Sequence, residues 1–101
     1  MKILNIPEEK NNYTYILRCR DGSYYCGWTN DLTRRLAAHN SGTGAKYTRS
    51  RGPVELAWYH VSGTKEEAMS LEARIKRLPR AKKEQLVGGI KTPADLFPPE
   101  T

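Results

Sequence analysis

Arg35 and His39 stand one helical turn apart in the segment "TNDLTRRLAAHN" (29–40), which reads as a helix capped by Thr29, Asn30 or Asp31. At about 100° per residue, Leu32, Arg35, Leu36 and His39 share one arc of roughly a third of a turn, while Arg34 points the other way. An arginine and a histidine beside core leucines would both lose hydration on burial. The pair therefore either faces a solvent-filled cleft or has fixed polar partners. Taken singly, a snorkelling arginine and a hydrogen-bonded core histidine are the plainer readings. In "TKEEAMSLEARIKRL" (64–78), Ala68, Leu71, Ile75 and Leu78 form an apolar stripe at helical spacing. Glu72 lies at its border rather than on the outer face with Glu66 and Lys76, although most helix glutamates are solvated surface. The remaining acids are scattered, without the clustered carboxylates of a two-metal nuclease. A metal ion would have to use one carboxylate, with waters and phosphate oxygens completing an octahedron.

The loop "NSGTGAKYTRSRG" (40–52) interleaves Lys46, Tyr47, Arg49 and Arg51 with small residues. Such a loop can lay cations along a phosphate backbone and stack a ring on a base, or it can be soluble surface. It lacks the G-x-x-x-x-G-K-[ST] spacing of a nucleotide-binding loop. The stretch "YTYILRCRDGSYYCG" (13–27) holds four of the six tyrosines of the chain. A small core normally prefers valine or isoleucine there, which raises the question of what the rings are for.

The elements that must position these groups are short. Tyr13 to Cys19 and Ser23 to Trp28 read as strands around an Asp21-Gly22 turn. With a two-residue loop Arg18 lies opposite Tyr25, and Tyr15 and Tyr25 face opposite sides. With a three-residue loop, Arg20-Asp21-Gly22, Leu17 lies opposite Tyr25 and the two tyrosines share a face. "PVELAWYHV" (53–61) is a third strand, and Pro79 fits the first turn of a helix over "RAKKEQLV". Residues 1–11 are expected to be a flexible lead-in, 12–87 the folded domain, and the Gly/Pro-rich 88–101 a flexible tail. The order ββαβαα predicts a small α+β domain with a three-stranded, largely antiparallel sheet flanked by helices.

At 101 residues, 28% charged and 38% hydrophobic, the chain suits one domain. No apolar run approaches the roughly 20 residues of a membrane helix, and the N-terminus lacks the pattern of a secretory signal. Cys19 and Cys26 fit neither a disulfide framework nor a zinc ligand set, so a cytoplasmic, reducing location is expected. The formal charge of +6 and pI near 9.5 favour a polyanionic partner. The basic residues gather in 46–52 and 74–83, while several acids sit near the ends.

Taken in order, these pieces resemble the GIY-YIG nuclease superfamily, and within it a group of small stand-alone bacterial domains. "YTYIL" stands at the family's first motif and "YYCG" at its second. "WTNDLTRRLAAHNSGTGAKYTRSRGPVEL" and "EEAMSLEARIKRLPRAKKEQL" are similar to the helix, loop and glutamate-bearing helix that follow. The resemblance covers about Tyr13 to Val87. It implies Tyr15, Tyr25, Arg35, His39 and Glu72 as catalytic residues of a phosphodiester hydrolase, with Glu72 holding a single Mg²⁺ or Mn²⁺. Arg35 would neutralise transition-state charge. Tyr25, or His39 with it, would take a proton from the attacking water, and Tyr15 would orient the water or Tyr25. A tyrosine base would need nearby positive charge, which Arg35 and the metal would supply. The family's later asparagine has no counterpart after Asn40, leaving that role open to Lys76. This reading favours the three-residue loop.

The implied function is a metal-dependent DNA endonuclease of low sequence specificity, acting on branched, flapped or single-stranded DNA in repair or recombination. RNA is left open as a partner, no membrane is involved, and a monomer suffices. Lys46, Tyr47, Arg49, Arg51 and Lys76 are the expected nucleic-acid contacts. The alternative is a non-catalytic nucleic-acid-binding module that retains the fold.

Overall fold

The central strand β1, Asn12–Arg18, is buried at every position from Tyr13 to Leu17, because both faces of the sheet are covered. The computed structural model describes residues 5–97. Residues 1–4 and 98–101, the outer parts of the expected lead-in and tail, lie outside the described residues. β1 pairs antiparallel with β2, Tyr24–Thr29, on one side and with β3, Glu55–Ser62, on the other, giving the order β2-β1-β3. The expected α+β class and three-stranded sheet are observed.

The hairpin uses the three-residue loop. Leu17 lies opposite Tyr25 and Arg18 opposite Tyr24. The Cys19 amide donates to the Ser23 carbonyl at 2.8 Å and the Gly22 amide to the Cys19 carbonyl at 2.9 Å, with Gly22 at φ 85°. That left-handed backbone suits glycine. Tyr15 therefore pairs with Gly27 on the same face as Tyr25, while Ile16 and Cys26 pair on the opposite face.

The first face is covered by α1, Leu32–Asn40. Tyr13, Tyr15, Leu17, Cys19, Leu32, Val54 and Leu56 form its core, with Tyr25, Leu36 and Tyr59 packed against them. Of the three candidate caps, Asp31 is used: its carboxylate accepts from the Arg34 amide at 3.2 Å, a contact worth about 1 kcal/mol. The second face is covered by α3, Lys65–Lys76, and α4, Arg80–Val87, around Ile16, Cys26, Ile75 and Leu86. Buried Thr14 meets its hydrogen-bonding need by donating to the Ala68 carbonyl at 2.8 Å, which pins α3 to β1.

Two segments differ from expectation. The loop after α1 contains a single-turn helix, α2, Lys46–Arg49. Residues 93–96 form α5, Pro93–Leu96, closed by a reciprocal capping box between Thr92 and Asp95, and Leu96 and Phe97 pack on the second face. Up to Phe97 the expected tail is thus folded onto the domain. Glycine and proline content pointed to a loose segment, yet T-P-x-D is also a helix-start signal. Near the other end, the Tyr13 hydroxyl donates to the Glu9 carbonyl at 2.6 Å and the Thr33 hydroxyl to the Pro7 carbonyl at 3.2 Å, which ties the lead-in to β1 and α1.

Candidate active site

The hairpin tyrosines divide by task, with Tyr13, Tyr15 and Tyr25 on the α1 face and Tyr24 on the other. Tyr13 packs edge-on to Tyr59 at 5.8 Å, and Tyr24 lies under the Arg80 guanidinium at 4.6 Å, so these two build the fold. Tyr15 and Tyr25 point toward α1. Tyr15 and His39 are each 2% exposed, and the Tyr15 hydroxyl meets His39 Nε2 at 2.9 Å. The other ring nitrogen, Nδ1, meets Thr48 Oγ1 at 2.9 Å. His39 is thus a buried histidine with both nitrogens bonded, and one of its partners is a candidate catalytic group.

Two glycines make this packing possible. A Cβ on Gly27 would fall 2.5 Å from the Tyr15 hydroxyl oxygen, and one on Gly44 would fall 2.6 Å from His39 Nδ1. Gly27 is the bare strand position over which the phenol lies. Gly44 brings its backbone directly against the imidazole.

Tyr25, half-buried on the edge strand, turns its ring edge toward His39 at 5.3 Å and stacks on Tyr47 of α2 at 5.9 Å. Lys76 Nζ lies 5.9 Å from the Tyr25 ring centroid and 3.8 Å from the Glu72 carboxylate. Since α3 belongs to the opposite layer, Lys76 and Glu72 meet the tyrosine face around the β2 edge. The Glu72 carbonyl also lies 4.0 Å from Cys26 Sγ, with Cys26 on the buried side of that strand.

Arg35 is exposed and has no ionic partner among the described residues, yet its charge is felt by both buried groups. Burial pushes the Tyr15 hydroxyl far above the usual phenol range, with Tyr25 adding to the rise, Arg35 opposing it, and Cys26 and Glu72 adding smaller rises. Burial lowers the pKa of His39, and Arg35 lowers it further. At neutral pH the pair is accordingly a neutral phenol and a neutral imidazole. Burial, reinforced by Glu72 and opposed by Lys76 and Lys83, pushes the Cys26 thiol up to about 12, so Cys26 is a packing residue.

Tyr15, Tyr25, Arg35, His39 and Glu72 thus surround one region, with Tyr47 and Lys76 at its border. The expected partnership of His39 with Tyr25 is altered: Nε2 bonds Tyr15, and Tyr25 meets the imidazole only ring to ring. Arg51 is also redirected. It pairs with Asp21 at 3.2 Å, donates to the Tyr47 carbonyl at 2.9 Å and lies 4.0 Å over the Tyr47 ring, so in the free protein it braces α2 against the hairpin loop. Lys46 and Arg49 remain exposed without ionic partners among the described residues. Thr48, Gly27 and Gly44 had no place in the sequence reading. A glycine inside a strand pattern is a recognisable sign of close approach and could have marked Gly27. Nothing in the local sequence singles out Thr48.

Among the described residues no group of three or more His, Cys, Asp or Glu side chains could hold a metal. The half-buried Glu72, 21% exposed in its side chain, suits a different arrangement. A hard divalent cation that keeps several waters and takes substrate phosphate needs only one or two protein carboxylates.

A three-stranded antiparallel sheet whose tyrosine hairpin meets a helix-borne arginine and histidine, with a glutamate arriving around the edge, defines the nuclease domain class called GIY-YIG. The pattern of the GIY-YIG catalytic domain matches residues 11–85, and the chain belongs to that family. It is similar to a UPF0213 protein of Streptococcus pneumoniae serotype 4, at 59% identity over 74% of this chain and 76% of the relative. The solution NMR structure of UPF0213 protein BH0048 from Bacillus halodurans is 55% identical, covers 77% of this chain and 83% of its own, and superposes with a TM-score of 0.51. That of protein EF2693 from E. faecalis is 44% identical over 80% of this chain and 90% of its own, with a TM-score of 0.55.

Proposed function

We propose that this protein is a divalent-metal-dependent endonuclease that hydrolyses DNA phosphodiester bonds with low sequence specificity, on branched, flapped or single-stranded substrates arising in repair or recombination. The observation that carries the reading is the buried 2.9 Å contact between the Tyr15 hydroxyl and His39 Nε2, beside Tyr25, Arg35 and Glu72. The Tyr15 oxygen receives the proton leaving the attacking water, and Tyr25, the more accessible tyrosine, orients that water. Tyr15 passes its own proton to His39, so no phenolate has to persist in the buried site. Burial disfavours a lasting charge on Tyr15 and leaves His39 neutral at rest; since it and Arg35 also disfavour the imidazolium, His39 holds the proton only transiently. Arg35, exposed at the rim, neutralises charge that develops on the phosphate oxygens. Glu72 would hold the Mg²⁺ or Mn²⁺ ion, which when bound supplies Lewis-acid stabilisation of the phosphate. Lys76 then exchanges its contact with Glu72 for one with substrate.

The test is cleavage of labelled single-stranded, flapped and duplex DNA with Mg²⁺ or Mn²⁺, comparing wild type with Glu72→Ala. Cutting by the wild type alone, with salt-sensitive binding kept in both, is the expected result. Equal cutting by both proteins would place the chemistry elsewhere. Binding without cleavage by either would leave a non-catalytic nucleic-acid-binding module.

A further inference from the structure

We propose that Thr48 is a positioning residue that sets the direction of the Tyr15–His39 hydrogen bond, an assignment whose functional part rests on the nuclease reading above. A threonine hydroxyl has a single hydrogen to donate. Thr48 Oγ1 lies 2.9 Å from the Ala45 carbonyl oxygen, which can only accept, so the hydroxyl hydrogen is committed there. The opposite arrangement would set two oxygens with lone pairs against each other at that distance. The contact between Thr48 Oγ1 and His39 Nδ1 at 2.9 Å must therefore have the imidazole as donor. A neutral imidazole carries one N–H, so with Nδ1 protonated Nε2 is bare. Nε2 accepts from the Tyr15 hydroxyl, and the Tyr15 oxygen keeps its lone pairs for a proton arriving from the substrate side.

The surroundings leave no competing partner. Thr48 is 1% and His39 2% exposed, so bulk solvent does not reach either contact. The Gly44 backbone lies against Nδ1. The titratable or charged groups facing the imidazole are Tyr15 from β1, Tyr25 from β2 and Arg35 from its own helix, and none of them approaches Nδ1 with an acceptor. The alignment therefore runs Tyr15 O–H to Nε2, Nδ1–H to Thr48, and Thr48 O–H to Ala45. A proton entering at Tyr15 has a vacant nitrogen to reach. The reversed tautomer would leave His39 donating to Tyr15 and unable to accept from it.

The experiment compares wild type, Thr48→Val and Thr48→Ser. Two-bond proton–nitrogen correlation spectra of ¹⁵N-histidine-labelled protein at pH 7.5 read the His39 tautomer directly, without substrate or metal. The expected result is Nδ1–H in the wild type and in Thr48→Ser, with a large gain of Nε2–H in Thr48→Val. In the cleavage assay Thr48→Val should lower kcat at least ~10-fold with KM and DNA affinity little changed, as for other residues that fix a catalytic histidine, and Thr48→Ser should restore it. A wild-type His39 bearing Nε2–H overturns the proposal, even if Thr48→Val fails to fold. An unchanged tautomer in folded Thr48→Val also overturns it, as does unchanged kcat once the tautomer has moved. If the protein cuts no substrate, the nuclease reading fails separately, and the spectra still decide what Thr48 does to His39.

Discussion

His39 joins the stability of the fold to the proposed chemistry, because one buried imidazole would serve both. Its folded-state pKa lies below the ordinary value near 6.5, through burial first and Arg35 second. As pH falls below about 6.5 the unfolded chain takes up this proton before the folded one does, so stability drops with pH across that interval and is fully present above it. Thermal unfolding from pH 7.5 down to 5 should show a steeper loss of Tm for wild type than for His39→Gln, which cannot titrate. Parallel curves for the two proteins would mean that His39 is not the neutral, buried group described here. Cleavage should decline over the same acid range, since a protonated His39 has no free nitrogen for Tyr15.

The hairpin and the helix after it do the positioning, and the pairing of Tyr15 with Gly27 is where they are most tightly matched. The phenol lies across the bare Gly27 position, so any side chain there pushes Tyr15 away from His39. Gly27→Ala should destabilise the domain by ~1–3 kcal/mol, the usual cost of overpacking, as measured by urea unfolding. Cleavage should fall much further than that loss explains, because the displaced hydroxyl no longer reaches Nε2. If Gly27→Ala keeps full activity, Tyr15 does not need this placement. α2 works in the same assembly: its Tyr47 stacks on Tyr25, and Arg51 clamps it to Asp21 of the hairpin loop. Basic residues in one sequence stretch thus divide between holding the loop and facing solvent.

Across the molecule, the +6 charge is the feature that reaches a polyanion first. Contacts made mainly to phosphates make the slope of log affinity on log salt a count of the cations engaged. Lys46→Ala combined with Arg49→Ala should weaken DNA binding evenly across sequences and reduce that slope by about one per lost contact, measured by fluorescence anisotropy over a salt series. An unchanged slope would remove α2 from the binding surface. Arg51→Ala is the informative comparison, because its guanidinium is engaged within the protein.

Much of the fold was legible along the chain because its signals are local. Alternating aromatics around Asp21-Gly22, a helix with cap candidates from Thr29 to Asp31 and an apolar stripe from Ala68 to Leu78 each act within a few residues, and their order carries the GIY-YIG resemblance. The same stretches nominated Tyr15, Tyr25, Arg35, His39 and Glu72. Folding decided the partnerships. His39 could have turned to Tyr25 or Tyr15, and Arg51 to phosphate or Asp21; the choice depends on where residues 41–52 fold back over α1. Thr48 acquires its place only when α2 brings it beneath the imidazole. A hydrogen bond's direction depends on what each partner is already bonded to, and those partners come together only through tertiary contacts between separate elements.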